Sequence, residues 1–252
     1  MPPTTHLHTD RRRANSFGSA AQRYDAYRPG YPDALISDLL APDTHRVLDV
    51  GAGTGIVSRQ LADHGATVLA VEPDERMAAV ARDKGIDVQI ATFEQWEPAG
   101  QRFDLVTFAA SFHWVDPAVA LPKIADILTP TGRLALLWNR LHATRPSGID
   151  VDDVFGDYVN VEAMADRLGT DAVVAALTAA GFESTVREYP RILHFSPAQW
   201  LELLFTYSTF ITLAPAAADD LRHRLTERIG DTELTLHGDS LAIVATGPRT
   251  IH

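Results

Sequence analysis

The stretch RVLDVGAGTG, Arg46 to Gly55, ends an apolar run with glycines at three alternate positions, Gly51, Gly53 and Gly55. A glycine surrenders more backbone entropy on folding than any other residue and fills no core volume, so an ordinary side chain would be the more stable choice. Three in five residues suit a chain that must turn sharply from a strand into a helix and leave its main chain open to a ligand. Open parallel sheets place ligands at that point, the carboxyl end of a strand. A merely tight turn is the competing use of the same glycines.

The pattern on either side repeats the theme. Val47, Leu48 and Val50 read as a short buried strand, and Ile56 to Ala62 continues in helical periodicity. Thr67 to Val71 is a second strand; Asp74 is placed to cap a helix running to about Lys84, with Glu75 favourable in its first turn. Val88 to Ala91 and Phe103 to Ala109 are further strands. Pro117 opens a helix to about Ile127, Pro130 and Gly132 close it, and Arg133 to Asn139 is a fifth strand. Strands that are apolar almost throughout and alternate with helices predict an α/β fold: a doubly wound, mostly parallel, Rossmann-like sheet of seven strands covered on both faces.

Residues 1–13 read as a disordered tail, and 14–45 as N-terminal lid helices interrupted by RPGYP. Residues 46–139 form the cofactor-binding core. Beyond Asn139 the expectation is a small helical cap from 140–182 and 190–230, with sheet-edge strands at 183–189 and 233–247. Helices are expected near Val151 to Leu168, at Ala172 to Ala180, through LFTYSTFITL, and in the amphipathic ADDLRHRLTERI. Gly238 with Asp239 suggests a hairpin turn near the C-terminus. The whole of 14–252 is read as one domain, a length that one core can serve.

Twenty-two Lys and Arg against 33 Asp and Glu leave a formal charge of -11. Such a surface repels phosphate backbones and anionic lipid, so neither nucleic acid nor a membrane is expected as a partner. The chain has no cysteine, which removes disulfides and thiolate chemistry. No apolar stretch reaches the ~18 residues of a membrane span, and the first ten residues lack a secretion pattern, so a cytoplasmic protein is expected. The histidines lack ligand-like spacing with acids, and no metal is expected. Neither Gly-x-Ser-x-Gly nor a Gly-rich loop ending in Gly-Lys-Ser or Gly-Lys-Thr is present.

Glu72 ends the second strand, beside the glycine turn in space. A carboxylate there can accept both hydroxyls of a ribose. The dinucleotide fingerprint asks for its third glycine where this chain has Ile56, and Asp49 would face a pyrophosphate with like charge. An acid at Asp49 suits a ligand with an amino group. A nicotinamide-dependent oxidoreductase and a non-catalytic cofactor-binding protein remain the alternatives.

VLDVGAGTG, Glu72 and FDLVTFAASFHWV together resemble the class I S-adenosylmethionine-dependent methyltransferases, in the small-molecule branch that includes ubiquinone-biosynthesis and trans-aconitate methyltransferases. The likeness covers Phe17 to about Asn139 well and the cap weakly. It implies S-adenosylmethionine as cofactor and S-adenosylhomocysteine as product. Asp49, Gly51, Ala52 and Gly53 would hold the methionine part, Glu72 and Pro73 the ribose, and Met77 would lie near the adenine. Thr92 and Phe93 would read the adenine edge, Thr92 standing where an Asp is frequent, and Ala109 would complete the floor. The segment FGSAAQRYDAYRPGYP resembles a lid that brings Tyr24 and Arg28 to the cofactor and Tyr31 to the acceptor.

A sulfonium methyl is already electrophilic, so the enzyme mainly has to align an acceptor lone pair and exclude water. His113 is the candidate base if the acceptor needs one; as a wall of the pocket it would serve the cofactor instead. Trp114, Asn139, Arg140, Tyr207 and Ser208 are expected to face a small-molecule acceptor, methylated on O, N, S or C, in a monomer or homodimer.

Overall fold

The structure is a computed structural model, which describes residues 20–159 and 169–248. Its strands are β1 (Arg46–Val50), β2 (Thr67–Val71), β3 (Asp87–Gln89), β4 (Phe103–Ala109), β5 (Leu128–Leu141), β6 (Glu183–Phe195) and β7 (Leu234–Thr246). The helices are α1 (Ala21–Tyr27), α2 (Asp33–Leu39), α3 (Ile56–Asp63), α4 (Glu75–Asp83), α5 (Pro117–Ile127), α6 (Asp152–Gly156), α7 (Thr170–Ala179), α8 (Pro197–Leu204), α9 (Ser208–Ile211) and α10 (Pro215–Ile229). The strands form one sheet in the order β3-β2-β1-β4-β5-β7-β6. β1 to β5 are parallel, and β7 runs antiparallel between β5 and β6.

Both faces of the central strands are buried, which is why β1 is apolar at nearly every position. On one face Val47, Leu105 and Leu137 pack with Leu35 and Ile36 of α2 and Leu61 of α3. On the other, Leu48, Val106 and Leu136 pack with Leu121 and Ile124 of α5 and Leu177 of α7. Asp74 caps α4 as expected, accepting hydrogen bonds from the amides of Arg76 and Met77. The strand order reverses at β1, which has β2 on one side and β4 on the other. The carboxyl ends of these strands therefore diverge into a crevice.

Several boundaries differ from the sequence reading. Gly238 and Asp239 make no hairpin: β7 passes straight through them, opposite Leu141 and Arg140 of β5. A Cβ on Gly238 would lie 2.2 Å from the Arg140 carbonyl oxygen, so this glycine permits close strand approach instead of a turn. β6 does not stop at Tyr189 but pairs with β7 as far as Phe195, tolerating Pro190 because it is an edge strand. β3 is shorter than expected, and β5 begins at Leu128 with a register shift opposite Phe103 to Leu105.

Helix α7, expected in the cap, belongs to the sheet: its Leu177, with Phe182, packs into the core under β7. The cap proper is α6, α8, α9 and α10 around Phe155, Trp200, Leu204, Phe210 and Leu225, with Leu234 and Leu236 of β7 as its floor. The helix expected through LFTYSTFITL is broken between Leu204 and Ser208. There the Thr206 hydroxyl donates to the Leu203 carbonyl at 2.5 Å, a local side-chain bond that competes with helix continuation. The expected tail at 1–13 and the end of the helix expected to Leu168 lie outside the described residues. Among the described residues no helix is long and apolar enough to cross a membrane.

Candidate functional site

The turn after β1 shows why its glycines are needed. Gly51, Gly53 and Gly55 all have positive φ, at 65°, 58° and 74°, a region barred to most side chains. Added Cβ atoms would lie 2.6 Å from the Ser111 Cβ at Gly51 and 2.9 Å from the Ala81 Cβ at Gly55. Those two glycines therefore let the turn nest against the loop after β4 and against α4. Gly53 differs: the nearest atom to its missing Cβ is the Met77 Cε at 3.4 Å, so its main chain is left open.

A cleft runs over this turn and along the carboxyl ends of β1, β2, β4 and β5. Gly51, Ala52, Gly53, Glu72, Pro73, Met77, Thr92, Phe93 and Ala109 border it, as the sequence pattern led us to expect. The Glu72 carboxylate accepts the Gly53 amide at 2.8 Å through one oxygen and the Asp74 amide at 2.9 Å through the other. Each oxygen keeps a lone pair for a further donor. Burial pushes this carboxyl up to about 7, with the two amides pulling the other way.

Asp49 is placed differently from expectation. It is fully buried beneath the turn and does not border the cleft. Its oxygens accept the Ser58 hydroxyl at 2.6 Å and the Thr107 hydroxyl at 2.9 Å, tying β1 to α3 and β4. Burial holds its carboxyl above the usual range. The reason is strand alternation, which sends the side chain of Asp49 into the interior while the turn beyond it opens outward. Its part in the site is to fix the glycine turn.

The opposite wall is made by the segment before α2 and the end of β5. Tyr24, Arg28 and Tyr31 border the cleft as expected, as do Trp114 and Asn139. The Arg28 guanidinium lies 3.7 Å from the Tyr207 ring centroid and 5.0 Å from that of Tyr24. It donates to the Thr206 hydroxyl at 2.8 Å and to the Thr206 carbonyl at 3.2 Å. Asn139 anchors the lid: its amide donates to the Pro29 carbonyl at 2.9 Å, and its carbonyl accepts from Ser240 and Arg191. Gln60 exchanges two hydrogen bonds with the Tyr31 backbone.

Four expected acceptor residues do not reach the cleft. Arg140 follows Asn139 on β5 and so points to the other face, where it pairs with Asp239 and Glu188. Tyr207 supports Arg28 from behind, and Ser208 is buried at the start of α9. His113 is the fourth. It lies in a 3-10 turn, Phe112–Trp114, where side chains three apart eclipse one another. Ser111 and Trp114 share the cleft side, and His113 lies off it with its ring 4.7 Å from that of Trp114.

The sequence reading missed several bordering residues. Thr54 and Trp138 each carry a buried polar atom, Oγ1 and Nε1, with no hydrogen-bond partner among the described residues. Ala110 has φ at 52°, a strained conformation at the end of β4 that no composition rule signals. Lys123 of α5 braces the loop after β3, donating to the Phe93 carbonyl at 2.6 Å and to that of Trp96. A lysine on a helix otherwise packed on the sheet was the available signal.

Comparison with known proteins bears on this site. Residues 48–136 match the family model described as a methyltransferase domain. A methyltransferase of Mycobacterium tuberculosis, itself uncharacterized, is 42% identical over 127 residues, 49% of this chain and 52% of that protein. The chain thus spans about half the length of the curated relatives it matches first. Among solved structures, a candidate type II methyltransferase from Anaeromyxobacter dehalogenans superposes with a TM-score of 0.64 at 22% identity, covering 90% of this chain and all of that one. Phosphoethanolamine N-methyltransferase 2 of Haemonchus contortus, solved with phosphomonomethylethanolamine and S-adenosylhomocysteine, gives 0.56 at 18% identity, over 92% of this chain and 57% of that one.

Proposed function

Because residues 48–136 match the methyltransferase-domain model and the sheet superposes on methyltransferase structures, we propose that the chain transfers a methyl group from S-adenosylmethionine to a small molecule. The observation that carries the reading is the pairing of Glu72 with the Gly53 amide on an open glycine turn. That pair presents a carboxylate for two ribose hydroxyls beside a main chain with no side chain in the way. The cofactor fits the residues present: Thr54 offers a buried hydroxyl with no partner among the described residues, and Met77 and Phe93 offer apolar surface for a purine.

When bound, the cofactor supplies an electrophilic methyl on a sulfonium centre. The chain's own residues do the rest. Glu72 registers the ribose, Pro73 and Met77 flank the base, and Thr92 with Phe93 close its edge. Tyr24, Tyr31 and Trp114 present ring faces that favour positive charge and exclude water. The acceptor would lie beside the lid, next to Arg28, Tyr31 and Asn139. The cysteine-free, acidic composition supports a cytoplasmic enzyme.

Isothermal titration with S-adenosylhomocysteine and with a nicotinamide dinucleotide tests the reading. Saturable binding of the first and none of the second is expected. No binding of S-adenosylhomocysteine at about millimolar concentration, where a specific ligand should stabilise the folded chain, would reject it.

A further inference from the structure

β3 is the terminal strand of the sheet and pairs only with β2. The turn that follows it, residues 92–96, has no second strand to receive its main-chain groups. The Gln95 and Trp96 amides fold back onto the Thr92 carbonyl at 3.1 and 2.9 Å, which leaves the carbonyls beyond it to find donors elsewhere. Lys123 of α5 supplies them. Its ammonium donates to the Phe93 carbonyl at 2.6 Å and to the Trp96 carbonyl, with the Glu94 carbonyl 3.5 Å away. An ammonium has three N–H donors and no acceptor, which suits a turn that presents carbonyls.

The same ammonium lies 4.9 Å from the Phe93 ring centroid and 5.5 Å from that of Trp96, beside rings that stack on each other at 6.2 Å. Both ring faces favour a cation. Phe93 in turn meets Phe108 edge-on at 5.5 Å, and the Trp96 indole donates to Gln89 of β3 at 2.5 Å. Glu94 adds a second tie to α5, accepting the Asp116 amide at 3.4 Å. Hydrogen bonds to a charged group are roughly twice as strong as neutral ones, so Lys123 carries more of this grip than the neutral contacts do. Thr92, Phe93 and Glu94 border the cleft, whereas Lys123 and Trp96 stand behind them. One side chain outside the cleft thus fixes both the main chain and the rings of a wall inside it.

We propose that Lys123 is a positioning residue for the cofactor's base. By holding residues 92–96 from behind, it fixes the polar groups that meet the purine edge and so sets a preference for adenine over a purine of opposite hydrogen-bonding pattern. This rests on the methyltransferase reading above and deepens it at the base end of the same cleft. Adenine offers a donor at its exocyclic nitrogen and an acceptor at N1; hypoxanthine offers an acceptor and a donor at the same two places. A turn held rigid cannot serve both patterns, because one of them sets like groups against each other. A turn released from Lys123 can shift to meet either, and its preference falls.

The test titrates the full chain by calorimetry with S-adenosylhomocysteine and with S-inosylhomocysteine, its hypoxanthine counterpart. The parent should prefer the adenine form by about tenfold or more. Lys123→Met keeps the apolar stem and removes the donors. It should weaken S-adenosylhomocysteine by about tenfold and the inosine form by less than about twofold, cutting the preference about fivefold or more. Lys123→Arg, which keeps charge and donors, should recover most of the preference. Arg133→Met is the control, because it removes another bond from a cation to a carbonyl, that of Leu39, away from the cleft. It should lower the thermal midpoint and leave the preference as in the parent.

A preference unchanged in Lys123→Met, or both ligands weakened equally, overturns the proposal and leaves Lys123 a support for stability alone. A loss of preference in Arg133→Met as large as in Lys123→Met does the same, since destabilisation would then suffice. A parent that binds both ligands alike also overturns it, with the methyltransferase reading left standing. A chain that binds no S-adenosylhomocysteine removes both. If Lys123→Met does not fold, Lys123→Gln decides: with two N–H groups in place of three and no charge, it should lose part of the preference. A folded Gln variant that keeps the parent's full preference overturns the proposal.

Discussion

Across the cleft, the wall built on the glycine turn draws its contacts from close along the chain: Glu72 reaches the Gly53 amide 19 residues away and the Asp74 amide two residues away. The facing wall is assembled over far longer distances. Arg28 bonds to Thr206 across 178 positions, Arg191 to Gly30 across 161 and Asn139 to Pro29 across 110. The first wall is main chain and turn geometry, which every ligand of one kind can share. The second is side chains gathered from a lid, a sheet edge and a cap, which can be exchanged without disturbing the turn.

Substitutions on the two walls should therefore separate. The largest effect is expected at Gly51→Ala, which places a Cβ 2.6 Å from that of Ser111 at a φ of 65°. Strain and overpacking together should remove roughly 2–4 kcal/mol, read as a shift in the urea midpoint. A chain as stable as the parent would mean the turn is slack and the contrast unfounded.

Glu72→Gln should follow, weakening S-adenosylhomocysteine by roughly 1.5–3 kcal/mol in calorimetry. It also carries a pH signature. Glu72 is raised from 4.5 to about 7 in the fold, so the folded chain holds this proton more tightly than the unfolded one. Its contribution to stability is complete below about pH 4.5 and is lost as pH rises through about 7. Cofactor affinity should run the other way, rising over the same interval as the carboxylate ionises. The Gln variant should flatten both trends, and trends unchanged in it would assign them to another group.

On the facing wall, Asn139→Ala should cost about 1–3 kcal/mol by leaving the Pro29 carbonyl and the Ser240 hydroxyl unmatched. Thermal unfolding reads this, and S-adenosylhomocysteine affinity should move much less than in Glu72→Gln. Asp49→Asn should change stability by about 1 kcal/mol or less, because the Ser58 and Thr107 hydroxyls can rotate to meet an amide. A loss of cofactor affinity as large as that of Glu72→Gln would show that Asp49 touches the ligand after all. Arg140→Ala should be the mildest, within about 1 kcal/mol, since its ion pairs are partly exposed.

How far the sequence could be read follows the same division. β1, β2 and β4 were legible because burial on both faces forces an unbroken apolar run. Asp74 as a cap and Glu72 as a cleft acid were legible because each needs only its neighbours. Gly238 was misread as a turn residue because nothing local distinguishes a glycine that turns from one that lets β5 approach β7. Arg140, Tyr207, Ser208 and His113 were misplaced for a related cause: their positions depend on one step of strand alternation, a break between α8 and α9, and the pitch of a 3-10 turn.

Taken alone, the order of residues determined the alternating architecture, the glycine turn and the carboxylate beside it, since these are settled by periodicity and by backbone conformations few residues can adopt. Tertiary structure decided that Asp49 props the turn from below, that His113 stands off the cleft, and that Asn139 holds the lid segment through the Pro29 carbonyl. Those outcomes depend on which distant segments pack together, and packing is a property of three-dimensional shape that no short stretch of chain encodes.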